Sequence, residues 1–210
     1  TLLRLIADLI EPSTGELQVN DKSPHQARLD RDYGMVFQAA TLLEWRSVRK
    51  NIELPLEIHG IGKQERREKA QAALELVELG NFGDHWPWQL SGGMQQRVAI
   101  ARALVFQPSL LLMDEPFGAL DEFTRERMNK ELLRIWRETD TTILFVTHSI
   151  SEAIFLSSRV VVMSPRPGRI TSIVEIDLPR PRSFVHPALT GFNEVVDEVR
   201  EVLRDAHVLE

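Results

Sequence analysis

The sequence predicts an α/β fold with a parallel sheet at its core, and three observations predict it. From residue 109 onward apolar runs alternate with a helical pattern: 110–113, then 122–138, then 142–147. A short continuous apolar run is what a strand buried on both faces requires, and a strand–helix–strand order returns the second strand parallel to the first. The third observation is bulk. The chain has 210 residues, 43% hydrophobic and 27% charged, which suits a globular domain with a sizeable core that can divide into subdomains.

At the start of the chain, residues 2–10 have helical apolar spacing and meet stop signals at Pro12 and Gly15. Residues 16–20 predict a strand from the alternation of Leu17 and Val19; residues 33–37, Tyr-Gly-Met-Val-Phe, predict another from composition. Residues 40–104 read as mainly helical. Within them the charge run 63–69 is a solvated helix face, with Ala73, Leu76, Val77 and Leu79 as the apolar stripe behind it. The helix over 122–138 turns Met128, Leu132, Ile135 and Trp136 to one side. The strand over 142–147 ends at His148, and 159–163 predicts a third strand of the same parallel sheet. The proline-rich stretch 164–187 bounds the core, and Phe192, Val195, Val196, Val199 and Leu203 mark a final amphipathic helix. No internal repeat or low-complexity tract is evident.

Composition narrows the function classes. No apolar stretch approaches the roughly 18 residues of a membrane span, so a membrane role has to come through a partner. A net charge of -6 argues against a broad nucleic-acid surface. With no cysteine, disulfides, thiolate metal sites and thiol catalysis are excluded; a reducing cytoplasm is compatible with that.

Two short runs carry the chemistry. In Leu110-Leu111-Leu112-Met113-Asp114-Glu115-Pro116 an apolar strand ends in two acids. That places both at the carboxyl edge of the sheet, where open α/β folds bind ligands. Aspartate is a hard oxygen ligand suited to magnesium, and the adjacent glutamate can accept a proton from an attacking water. An Asp-Glu pair alone more often just opens a solvated loop; here it continues into Phe117-Gly118-Ala119-Leu120-Asp121. In Leu90-Ser91-Gly92-Gly93-Met94-Gln95-Gln96-Arg97 a Ser-Gly-Gly turn opens a helix. Two glycines let backbone N–H groups approach an anion, and a helix N-terminus adds free donors and a positive dipole end. By itself the turn would be an ordinary serine cap.

Together and in this order, the two runs resemble the signature motif and Walker B strand of ATP-binding cassette (ABC) ATPases, and 116–121 resembles the family's D-loop. Met94 stands where the family most often has glutamine. The resemblance extends over residues 1 to about 180. It implies a P-loop NTPase (RecA-like) core, 1–38 and 105–170, an inserted helical subdomain, 39–104, and a C-terminal tail and helix, 171–210. It further implies that Gln38, which comes just after a strand, is the Q-loop glutamine that serves magnesium with Asp114. By the same resemblance Glu115 polarises the attacking water, and His148, which ends a strand, is the switch histidine at the γ-phosphate. Ser91, Gly92, Gly93 and Asp121 would meet ATP across a head-to-tail homodimer. A lone strand-end histidine is otherwise usually structural, and the other five are read as solvated.

The phosphate loop G-x-x-x-x-G-K-S/T is missing. The run Gly60-Ile61-Gly62-Lys63-Gln64 imitates it, but Gln64 is neither Ser nor Thr and Glu57 occupies the first glycine's position. Residues Thr1-Leu2-Leu3-Arg4-Leu5-Ile6 resemble the residues just after the family's Lys-Ser/Thr pair. The expectation is therefore a chain cut after Walker A, with Thr1 the threonine near the α-phosphate and the present chain inactive alone. The tail over 169–182 resembles importers of the nitrate, sulfonate and taurine group. The function implied is ATP hydrolysis coupled to import of a small anion, at the cytoplasmic face of the membrane. The implied partners are transmembrane permease subunits and, indirectly, a periplasmic or extracellular solute-binding protein. A cassette ATPase outside transport and a catalytically inert cassette are the alternatives. The segment 41–52 resembles the part that meets the permease; Trp45 is an exposed anchor there or a core residue. Trp86 and Trp88 are expected to pack the helical subdomain.

Overall fold

Three apolar runs form the parallel sheet as its composition requires. In the computed structural model, which describes residues 1–180, 182 and 191–205, strands β1 (Tyr33–Phe37), β2 (Leu110–Asp114) and β3 (Thr142–Val146) pair in that order, all parallel. The register is unbroken, Tyr33–Leu110–Thr142 at one end and Phe37–Asp114–Val146 at the other. Leu111, Leu112 and Met113 are fully or almost fully buried, so the central strand is covered on both faces. The helical segment is inserted between β1 and β2.

That segment comprises α3 (Val48–Ile58), α4 (Lys63–Leu76) and α5 (Gly92–Leu104), with two short 3-10 turns at Gly80–Phe82 and Pro87–Gln89. The charge run lies on the solvated side of α4, while Ala70, Ala73 and Leu74 are buried. α5 is the hub. Val98, Ala99, Ile100, Ala101 and Leu104 are all buried, and the helix touches α3, α4 and β1. It lies on β1 without an intervening side chain, since a Cβ at Gly34 would overlap the backbone carbonyl of Ala103. Beyond β2, helix α6 (Glu122–Glu138) buries Met128, Leu132 and Ile135, three of the four expected positions, with Trp136 half-buried.

Two expectations for the first forty residues fail. The opening helix, α1, spans only Leu2–Ile6. Asp8 turns left-handed, with φ 48, and the N–H of Leu9 reaches back to the Arg4 carbonyl at 2.9 Å. This is a Schellman-type stop with aspartate in glycine's usual place; Arg28 at 2.9 Å and His25 at 3.0 Å hold the Asp8 carboxylate. Residues 16–20 form no strand. Asn20 and Asp21 both have positive φ, 51 and 59, and close a two-residue turn of the kind that joins hairpins. Its ladder amounts to one bridge, Val19 to Lys22. A further helix, α2 (Pro24–Asp30), is capped by Ser23.

The chain divides into two units, 1–146 and 147–210. The second contains α7 (Ile150–Leu156), β4 (Arg159–Met163), β5 (Ile170–Glu175) and α8 (Phe192–Asp205). Here β4 does not extend the parallel sheet; it pairs antiparallel with β5. Only a short loop joins the two, too short for a parallel crossover but sufficient for a hairpin. β5 lies inside the stretch expected only to bound the core; residues 181 and 183–187 of that stretch are outside the described residues. The unit's core joins Ile154, Val174 and Ile176 to Val196 and Val199 of α8, so the final amphipathic helix is present as expected. The carboxyl end of α7 is held by buried Arg182, which donates to the carbonyls of Ile154 at 2.7 Å and Ser157 at 2.6 Å. Burial, with Arg180 beside it, draws its pKa down to about 10, so it remains charged at neutral pH.

Gly34→Ala tests the direct seating of α5 on β1. It should cost about 1–3 kcal/mol, as overpacking does elsewhere, read as a lower urea midpoint. An unchanged midpoint would contradict that contact.

Candidate functional site

Parallel register determines which side chains meet. Because Phe37, Asp114 and Val146 are aligned, Gln38 and Glu115 each begin a loop at the same edge of the sheet. The Glu115 N–H donates to the Val146 carbonyl at 3.0 Å, which carries the ladder one residue past β2. Glu115 itself is left-handed, with φ 49. For a residue with a Cβ that backbone costs on the order of 1–3 kcal/mol and persists where its surroundings over-determine it.

The surroundings here are specific. The N–H of Gly118 closes the turn onto the Glu115 carbonyl at 3.0 Å. Phe117 is fully buried against Phe145, ring centroids 5.8 Å apart. Arg125 donates to the carbonyls of Phe117 at 3.3 Å and Leu120 at 2.9 Å. Gln38 is exposed and lies over this turn: its Nε2 is 3.0 Å from where a Cβ on Gly118 would stand. Gln38, Asp114, Glu115 and the 115–118 turn thus form one cluster, with both carboxylates half-buried.

Across α5 sits the glycine turn. Ser91 caps the helix, its hydroxyl accepting the Met94 N–H at 3.4 Å. Ser91 and Gly92 are exposed and Gly93 is buried. A Cβ on Gly93 would lie 3.0 Å from Thr124 Cγ2, so this end of α5 leans directly on the start of α6. The first-turn N–H groups of Gly92 and Gly93 have no acceptor within the helix.

Two polar side chains, buried Gln96 and half-buried Arg102, bind the glycine helix to the glutamine loop, and sequence reasoning assigned neither a role. Gln96 is 3% exposed and donates to the Phe37 carbonyl at 2.8 Å. Arg102 donates to the carbonyls of Ala40 and Thr41, both at 2.9 Å. Burial lowers the pKa of Arg102 from its ordinary value, a desolvation cost offset by these bonds to charged donor groups. The available signal was a glutamine on the apolar side of a helix, since a buried amide needs partners.

Thr1, Asp121 and His148 complete the predicted set. Thr1 is exposed at the start of α1, where its side chain makes no cap. Asp121 is exposed and caps α6, accepting the Thr124 N–H at 3.0 Å. His148 is exposed and belongs to the second unit. Among the described residues no three His, Asp or Glu side chains converge on a point that could cage a metal. Asp114 and Gln38 do offer hard oxygen donors, which suits magnesium that keeps its waters and substrate phosphates.

The aromatic residues of the helical segment depart from expectation. Trp86 and Trp88 do not pack inside; they are 38% and 62% exposed and stack on one another at 5.1 Å. Trp45, 73% exposed, is an outward residue. Backbone bonds from Val48 to His85 and from Arg49 to Gly83, each 2.8 Å, join the two segments that carry these tryptophans.

Comparison with known proteins gives this geometry a context. Residues 1–118 match the family described as ABC transporter. An uncharacterized ABC transporter ATP-binding protein from Methanocaldococcus jannaschii is 53% identical over 209 residues, covering 97% of this chain and 78% of that one. A taurine import ATP-binding protein from Rhizobium johnstonii is 43% identical over 214 residues, covering 100% and 81%. Among solved structures, a dimeric ATP-binding cassette in a post-hydrolysis state with ADP and Pi is similar at a TM-score of 0.68 and 34% identity, covering 87% of this chain and 80% of that one.

The cap at Asp121 gives a pH test. The backbone N–H of Thr124 holds its carboxyl below the usual 3.8. A carboxyl depressed in the folded state contributes stability above its unfolded pKa and loses it as pH falls through the folded one. Asp121→Ala should therefore lower the thermal midpoint at pH 7, and the gap from wild type should close as pH falls below 3.8. A gap of constant size down to acid pH would contradict the charged cap.

Proposed function

This chain belongs to the ABC transporter family, and we propose that it is the ATP-hydrolysing subunit of an importer for a small anion. The observation that carries the reading is the shared register of β1 and β2, which brings Gln38, Asp114 and a left-handed Glu115 to one edge. In this reading water attacks the γ-phosphorus of ATP in line with the bridging oxygen to the β-phosphate. The bond to that oxygen breaks, giving ADP and inorganic phosphate. Glu115 orients the water and takes up its proton. Asp114 and Gln38 are the residues that would hold magnesium, which supplies charge neutralisation to the phosphates. His148 steadies charge on the γ-phosphate, and Asp121 and Thr1 lie beside the nucleotide.

Ser91, Gly92 and Gly93 act in trans. The helix start, with Ser91 and Gly92 exposed, faces the phosphates held by a second copy, arranged head to tail, so that ATP joins the two protomers. The dimeric state of the ADP-bound cassette to which this chain is similar supports that arrangement. The helical subdomain, 39–104, is the part that engages the permease, and the joined segments with Trp45, Trp86 and Trp88 supply exposed aromatic anchors for it. The protein would thus be peripheral, at the cytoplasmic face of the membrane, and reach a solute-binding protein only through the permease. Taurine, an aliphatic sulfonate or nitrate fits the tail resemblance over 169–182 and the relative named for taurine import.

In the full-length protein, Glu115→Gln should slow ATP turnover by about 10²–10⁴-fold while ATP binding survives; near-normal turnover would refute the role of Glu115. Replacing Trp86 and Trp88 together by alanine should sharply reduce co-purification with the permease subunits. Undiminished co-purification of a folded double variant would remove these residues from the docking surface.

A further inference from the structure

The second unit contains a buried carboxylate that the mechanism above does not use. Glu152 is 5% exposed, and one of its side-chain oxygens, Oε1, has no hydrogen-bond partner among the described residues. A carboxylate out of water without full satisfaction is costly, and such a group in a folded protein calls for a reason.

Its other oxygen supplies one. Glu152 Oε2 accepts the hydroxyl of Thr147. The same hydroxyl oxygen accepts the backbone N–H of Ser149 at 3.0 Å. Ser149 caps α7 in turn, its hydroxyl accepting the backbone N–H of Glu152 at 3.3 Å. In an ordinary capping box the glutamate three residues into the helix takes the cap residue's own N–H. Here that N–H goes to Thr147, and the glutamate reaches two residues further back, to the Thr147 hydroxyl. The result is a closed ring of three hydrogen bonds, Ser149 to Thr147 to Glu152 to Ser149, and the residue it spans is His148. Of the two backbone neighbours of the exposed histidine, Thr147 is thereby bonded to the buried Glu152 side chain and Ser149 to the Glu152 backbone N–H.

We propose that Glu152 and Thr147 are positioning residues that hold the His148 backbone in place for phosphate contact. The proposal rests on the reading of His148 as the γ-phosphate residue. An N-terminal cap serving stability alone would tie Ser149 to the helix but would not require the hydroxyl before the histidine.

The test is steady-state ATP hydrolysis by the full-length protein, in wild-type and His148→Ala backgrounds. Thr147→Val and Glu152→Gln should each lower kcat by about 10–100-fold, the range expected of a displaced catalytic group, with KM for ATP little changed. Thr147→Ser, which keeps the hydroxyl, should stay near wild type. In the His148→Ala background neither change should lower kcat further. Equal losses in both backgrounds, or undiminished kcat in Thr147→Val and Glu152→Gln, would overturn the proposal while leaving His148 in its role. Full turnover by His148→Ala itself would overturn the role of His148 and the proposal with it.

Discussion

The alignment of three parallel strands is the constraint on which the rest of the first unit depends. With Phe37, Asp114 and Val146 level, the chain leaves β1 and β2 at one edge, and the loops that carry Gln38 and Glu115 begin side by side. A slip of one residue in β2 would exchange its two faces and move Asp114 off the edge. Burial resists that slip, because Leu111, Leu112 and Met113 lose their environment together. Fully burying each such side chain is worth about 1.5–3 kcal/mol. The same register sets the Val146 carbonyl to receive the Glu115 N–H, and the buried Phe117 then fixes the adjoining turn. The backbone cost of a left-handed glutamate is small beside these terms, which is why the chain can retain it.

α5 is the second organiser. Its first turn carries Ser91 and the paired glycines; its middle and end carry Gln96 and Arg102, which grip the loop after β1. A shift of this helix therefore moves the glycine turn and the glutamine loop together. Net hydrogen-bond contributions of about 0.5–1.5 kcal/mol each are modest, but leaving the buried Gln96 amide without its bond would cost more. The second unit repeats the theme on α7, fixed at its start by Ser149 and at its end by Arg182.

Much of this was legible in the residues. Apolar runs at 110–113 and 142–147 gave two strands of the parallel sheet almost to the residue, and 33–37 was legible as a strand from its composition; the central strand, buried on both faces, has little freedom of composition. The stripe Met128, Leu132, Ile135 gave α6. What local pattern does not encode is partnership. Val-rich 159–163 looks like another parallel strand, yet it pairs antiparallel with 170–175, a run read from sequence only as part of the stretch bounding the core. The turn at Asn20-Asp21 overrode the alternation of Leu17 and Val19, and a left-handed Asp8 ended α1 where the apolar spacing continues. Trp86 and Trp88 satisfy each other by stacking rather than by burial. The candidate chemistry-bearing residues were chosen by motif order. Gln96, Arg102 and Glu152 were not, since their importance lies in what they touch.

The central claim is that each nucleotide lies between the acidic edge of one protomer and the glycine turn of another. A structure of the full-length Glu115→Gln protein with ATP and magnesium tests it most directly. The account predicts phosphates beside Asp114 and Gln38 of one copy, with the partner's Ser91 and Gly93 at hydrogen-bond distance from the γ-phosphate. A triphosphate bound elsewhere, or two glycine turns facing away from the acidic edges, would contradict it.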